Sequence, residues 1–205
     1  MAYIGDNAIE VEPVKTDTLG PLAALILSEL PGCDDLTIRM KLGAALREFC
    51  RETNACAYAI PAVVLKGGIV PIPPAPFGML VGTVLDVIDS RGYRVKFDVT
   101  DSLMQSIVLR GASEGDKVLV KLSAYPKAGG ESCPEWFVER YAEVITAGAM
   151  NKLLSMTNRP WSDPQRAMAY GAEYSDAISE ASYRSIGSQL GGGAESAIPQ
   201  GGLFM

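Results

Sequence analysis

Histidine is absent from this chain of 205 residues. That removes the imidazole base, the imidazole metal ligand and the one side chain that ordinarily changes charge near neutral pH. Long apolar runs are missing too. The longest helix-like one, Leu22 to Leu27, is far too short to span a bilayer. The N-terminus MAYIGDNAIEVEP lacks the basic start and apolar core of a secretory leader. Cysteine is sparse: Cys33, Cys50, Cys56 and Cys133 form no C-x-x-C pair, and no histidine could complete a mixed zinc site. These spacings predict reduced, partly buried thiols, no metal site and no bound cofactor, in a soluble protein made in a reducing compartment.

Catalytic signatures are missing as well. There is no G-x-S-x-G, no phosphate loop and no H-E-x-x-H, so no enzyme activity is expected. The Gly-Gly pairs at 67–68 and 129–130 lack a strand-to-helix context and read as turns. Asp34-Asp35, and Asp98 with Asp101, could hold a hard cation or exchange protons. Their positions at a helix start and beside a turn favour structural work instead.

The formal net charge is −6, and it is uneven. Residues 1–56 carry 5 Lys/Arg against 9 Asp/Glu, residues 57–133 carry 8 against 7, and residues 134–205 carry 5 against 8. A protein that grips nucleic acid shows a basic face, and this balance disfavours tight binding. With 48% hydrophobic residues, the chain can nevertheless bury a substantial core.

Residues 1–16 read as an extended N-terminal arm. A helical hairpin is expected over 17–56. Its first helix starts around Asp17 to Pro21 and stops at Pro31-Gly32. Its second runs from about Asp35 to Asn54 behind an Asp34 N-cap. The stripe Ile38, Leu42, Ala45, Phe49 lies on one face of that second helix. Residues 57–131 change character. Short β-branched runs separated by glycine turns predict five or six antiparallel strands, with the four prolines of IVPIPPAPF barred from a central position. Tyr93, Val95, Phe97 and Val99 alternate onto one expected core face.

Ser132 to Glu135 has the spacing of a capping box, and a helix from Pro134 to about Met156 should follow. Trp136, in its first turn, is expected to pack on the sheet. Asp163-Pro164 starts the last helix, which runs to about Gly187 with a narrow face of Ala167, Gly171, Tyr174, Ile178, Ala181 and Ser185. Residues 132–187 thus form a second hairpin, and the glycine-rich 188–205 a flexible tail. The fold class expected is α+β: a four-helix bundle with a small antiparallel β-domain inserted between its second and third helices.

Two binding surfaces suggest themselves from the residues alone. Trp161, in the connection NRPWSDPQ, reads either as a plug over the end of the bundle or as an interface residue. Tyr93, Arg94, Lys96 and Phe97 could make a stacking platform for single strands, on a small nucleic-acid-binding barrel. The second helix of the first hairpin carries Arg39, Lys41, Arg47 and Arg51. Glu48 and Glu52 interrupt its basic face, against a helix-turn-helix role.

LPGCDDLTIRMKLGAALREFCRET, from Leu30 to Thr53, resembles the N-terminal motif of short-tailed bacteriophage head-to-tail adaptors, the tail tubular A-like family. In that motif a Leu-Pro-x-Cys turn leads into a helix ending in Glu-Phe-Cys-x-x-Thr. RPWSDPQRAMAYGAEYSDAI, from Arg159 to Ile178, resembles their C-terminal motif, where Trp-x-Asp-Pro opens the last helix. Together the two cover about a fifth of the chain. The resemblance implies a virion structural protein in the tail or neck, assembled in the host cytoplasm with no membrane partner. It implies a homo-oligomeric ring, usually of twelve copies, between the portal protein and the tail nozzle protein, with double-stranded DNA passing through the channel unbound during ejection. It also implies that the C-terminal segment docks on the portal, here through Ser185, Ile186, Leu190, Ile198, Leu203, Phe204 and Met205. The glycine-rich tail departs from the family pattern. A connector or stopper of a long-tailed phage would differ mainly in its partners.

Overall fold

Asp34 turns the chain from one helix into the next. Its carboxylate accepts the Thr37 N–H at 2.8 Å and the Thr37 hydroxyl at 2.7 Å, satisfying a donor that the first helical turn leaves open. In this computed structural model, residues 19–100, 105–129 and 133–189 are described, without the side chains of Phe77 and of residues 186–189. The helices are α1 (Gly20–Glu29), α2 (Asp35–Thr53), α3 (Glu135–Arg140), α4 (Ala142–Leu154) and α5 (Pro164–Gln189). The expected arm at 1–16, Ser132 of the capping box and Asp101 lie outside the described residues.

The stripe expected on α2 is the core: Ile38, Leu42, Ala45 and Phe49 are all fully buried. Thr53 closes the helix. Its hydroxyl donates to the Phe49 carbonyl at 2.7 Å and accepts the Ala55 N–H at 3.1 Å, while Asn54 turns left-handed at φ 52°. The motif residues Phe49 and Thr53 therefore have structural work in the core and at the helix end.

The single helix expected from Pro134 to Met156 is two. Tyr141, at φ −115° and ψ 19°, separates α3 from α4. Its ring lies 4.8 Å from those of both Phe49 and Phe137, so aromatic packing holds the break. Trp136, expected on the sheet, is 44% exposed, with its ring edge-on to Phe137 at 5.5 Å. The last helix includes residues 188 and 189, so the boundary expected at 187/188 falls inside α5. Helix α2 packs against α1, α4 and α5, and α4 against α5.

Six strands follow α2: β1 (Ala57–Val63), β2 (Ile69–Pro71), β3 (Leu80–Asp89), β4 (Phe97–Val99), β5 (Ser106–Leu109) and β6 (Lys117–Tyr125). They form two antiparallel three-stranded sheets, in the orders β1-β6-β3 and β2-β5-β4. Proline-bearing β2 is an edge strand, as its missing donor requires. A bulge in β3 near Val84 exposes the Thr83 N–H to the buried Ser123 hydroxyl, which accepts it at 3.0 Å. Val64, Val70, Val84, Val87, Ile107, Leu109, Val118 and Val120 make a core between the sheets. A larger core joins the helices to Leu122 and Ala124 of β6. The fold is thus mixed α+β, with five α-helices and two small sheets among the described residues.

Candidate functional site

The two motifs that resemble the adaptor family meet in space. Leu30 to Asp34 forms the α1–α2 turn, and Arg159 to Asp163 leads into α5. Trp161 lies against the turn, where a Cβ placed on Gly32 would sit 3.7 Å from its ring, in ordinary contact. Arg166, in the first turn of α5, reaches back to Glu29 at 3.1 Å. Asp163 caps α5 by accepting the Arg166 N–H at 3.0 Å, and its own N–H bonds the Leu154 carbonyl at 3.1 Å. The α4–α5 connection is thereby tied to the end of α4.

Trp161 is half-buried against the helical core, with the Arg159 guanidinium 5.7 Å from the ring centre. Its indole nitrogen is buried with no hydrogen-bond partner, an arrangement that costs free energy. A shallow hollow of about 370 Å³ opens between the two turns, lined by Glu29, Pro31, Gly32, Trp161, Asp163 and Arg166. Leu36, Met40 and Met168, at 68%, 63% and 76% exposure, lie within two turns of the starts of α2 and α5.

The other candidates have structural occupations. Asp34 caps α2, and the Thr37 hydroxyl and N–H hold its carboxyl below the usual carboxylate range. Asp35 pairs with Arg39 at 2.8 Å. Asp98 pairs with Arg110 at 2.8 Å, which lowers its pKa by hydrogen bonding and then by charge.

The aromatic platform is only half assembled. Tyr93, expected on the core face, is 68% exposed, because between β3 and β4 only Arg94 bridges to Ile88. Phe97 packs on the inter-sheet core instead, while Val99 is 44% exposed. Arg91, Arg94 and Arg110 border an open hollow beside Tyr93. Each is ion-paired, to Asp89, Asp86 and Asp98 respectively. Lys96 and Lys117 line the same hollow, while the three arginines, already partnered by carboxylates, have less to offer a phosphate backbone.

Of the expected portal contacts, Ser185 is half-buried near the end of α5 and Ile186 continues that helix. Leu190, Ile198, Leu203, Phe204 and Met205 lie outside the described residues.

One constellation has no signature in the sequence. Cys50 from the last turn of α2, Cys56 before β1 and Cys133 before α3 bring their sulfurs within 4.8 Å of one another, all fully buried. The Tyr58 hydroxyl lies 3.7 Å from the Cys56 sulfur and 3.6 Å from the Met79 sulfur. Hydrogen bonds from Cys133 and Cys50 pull the Cys56 thiol below its ordinary value, against the effect of burial. The reciprocal bonds, to Cys133 first, push Cys50 up. Cys33 is buried apart from them, in the α1–α2 turn. No sequence spacing carries this cluster, since it depends on where β1 and α3 return to α2.

These features define a class of protein: a mixed α+β scaffold whose distinctive surface is a joint between two helix-capping turns. No helix among the described residues is long and apolar enough to cross a membrane. No protein-family model matches the chain, and no curated protein matches it. Among solved structures, one likeness is to the neck of an empty GTA particle computed with C6 symmetry. It covers 80% of this chain and 92% of that one, at 17% identity and a TM-score of 0.28.

Proposed function

We propose that this chain is a head-to-tail adaptor, a structural and non-enzymatic component of a tailed-phage-like virion. One observation carries the reading. The two segments that resemble adaptor motifs, far apart in sequence, are adjacent in the fold: Trp161 lies over Gly32 of the α1–α2 turn, and Arg166 pairs with Glu29, the residue just before the first motif. A chance resemblance in either segment would have no reason to place them together. In this reading α1, α2, α4 and α5 are the four helices of the expected bundle, and the two sheets are the inserted unit. Copies of the chain form a ring, twelve in the family's usual arrangement, between portal and tail nozzle. The segment beyond α5 docks on the portal. The acidic balance of the helical regions suits a channel wall that does not hold passing DNA. The exposed Leu36, Met40 and Met168 suit contacts with a neighbouring copy.

The test is assembly. The full chain is mixed with the portal protein of the same virion, and the mixture is sized and imaged. A ring of this chain stacked on the portal is expected. A chain that stays monomeric beside portal overturns the reading, while a ring that binds a long-tail tube component instead would make it a connector or stopper. Salt-dependent binding of single-stranded DNA with no ring would favour the nucleic-acid module.

A further inference from the structure

We propose that Cys50, Cys56 and Cys133 form a binding site for a thiophilic divalent cation of the zinc class, and that the ion pins the helices to the sheet. The geometry carries it. Three sulfurs bound to one zinc ion at about 2.3 Å would stand roughly 3.8–4.0 Å apart, and here they lie within 4.8 Å of one another. Shifts of well under an ångström per side chain close the site. The Tyr58 hydroxyl stands beside the cluster, 3.7 Å from the Cys56 sulfur, and is the oxygen offered for a fourth position.

The donor set selects the ion. Thiolates and a phenol, with no imidazole anywhere in the chain, suit a soft or borderline cation and exclude magnesium or calcium, which take oxygen ligands. Charge narrows the choice further. Three buried thiolates around a divalent ion leave one net negative charge, and around a monovalent ion two, which the apolar surroundings of Phe49 and Phe137 disfavour. Binding releases the thiol protons to solvent, so affinity falls as pH falls.

Placement gives the ion its effect. The three ligands come from the end of α2, the approach to β1 and the approach to α3. One ion would therefore clamp both places where the chain passes between helices and sheets. That is a local staple and is independent of the adaptor reading.

The test uses the full chain, reduced, with any histidine tag removed, titrated with Co²⁺ as a spectroscopic stand-in and then with Zn²⁺. The expected result is a sulfur-to-cobalt charge-transfer band that saturates at one ion per chain and is displaced by zinc. Zinc should also raise the melting temperature. C133A and C56A should lose the band, and C33A should keep it. Because either variant could fail to fold, X-ray absorption on the unaltered zinc-loaded protein gives a second reading, with three sulfur neighbours at about 2.3 Å expected. Absence of a cobalt band, or an oxygen-only shell, would each overturn the site.

Discussion

The Tyr174 hydroxyl donates to the Ala45 carbonyl at 2.7 Å, while the Tyr174 ring fills the space over Gly148. A Cβ on Gly148 would come within 2.6 Å of that ring. One side chain of α5 is thus hydrogen-bonded to α2 and stacked on α4. Burial pushes its phenol above the ordinary value, so it stays a donor through the physiological range. Tyr174→Phe should cost about 1 kcal/mol, the loss of one buried hydrogen bond. Gly148→Ala should cost about 2 kcal/mol by overpacking. The two changes touch the same ring, so chemical denaturation of the single and double variants should show non-additivity.

Gly67 and Gly68 give a paired test in the turn before β2. Both are left-handed, at φ 80° and 78°, but a Cβ at Gly67 meets open space and one at Gly68 comes within 2.6 Å of the Leu109 carbonyl. Gly67→Ala should cost about 1 kcal/mol of backbone strain. Gly68→Ala adds a clash with the backbone of β5 and should cost roughly 3 kcal/mol. Equal losses in thermal denaturation would mean that β5 yields.

Acid stability should depend on three surface carboxylates. The Thr37 hydroxyl lowers Asp34, the Tyr93 backbone N–H lowers Asp89, and the Arg110 guanidinium lowers Asp98. A carboxyl with a depressed folded pKa contributes stability that is present above its unfolded value, about 4, and lost as pH falls through the folded value. Denaturation midpoints should therefore drop below about pH 4, and Asp34→Asn should flatten that drop while lowering stability at pH 7.

Trp161→Ala should destabilise the isolated protein by about 2 kcal/mol, since half of a large ring leaves the core edge. If monomer stability is unchanged and ring formation fails, the residue is an interface residue and not a plug.

Met40→Lys and Leu36→Glu change exposed positions and should move monomer stability by less than about 0.5 kcal/mol. Under the adaptor reading, at least one of them should abolish the ring on sizing with portal.

What was legible in the sequence was local. Asp34 and the α2 stripe lie within a few turns of one another, so periodicity and capping sufficed to place α2. Asp163-Pro164 located the start of α5 for the same reason. The break at Tyr141 was not legible, because Phe49 lies on another helix and supplies the packing that holds it. Tyr93 went astray because alternation implies a continuous strand, whereas residues 93 to 96 make only a single bridge. The thiol cluster was illegible on the same grounds: its three members come from different element ends, and only the tertiary path brings them together.

Strand β6 is the centre of its sheet, hydrogen-bonded to β1 on one side and β3 on the other. Val118, Val120, Leu122 and Ala124 alternate onto one of its faces. The first two belong to the core between the sheets and the last two to the helical core. Strand β6 is therefore a central beam running through both halves of the molecule, flanked by β1 and β3, which also touch both cores. Force applied to the distal sheet would reach the helices through that beam in shear along its length, the direction in which an antiparallel ladder loads many hydrogen bonds at once. A pull across the strands would instead unzip the ladder pair by pair, so the protein should be mechanically stiff along β6 and weak at right angles to it.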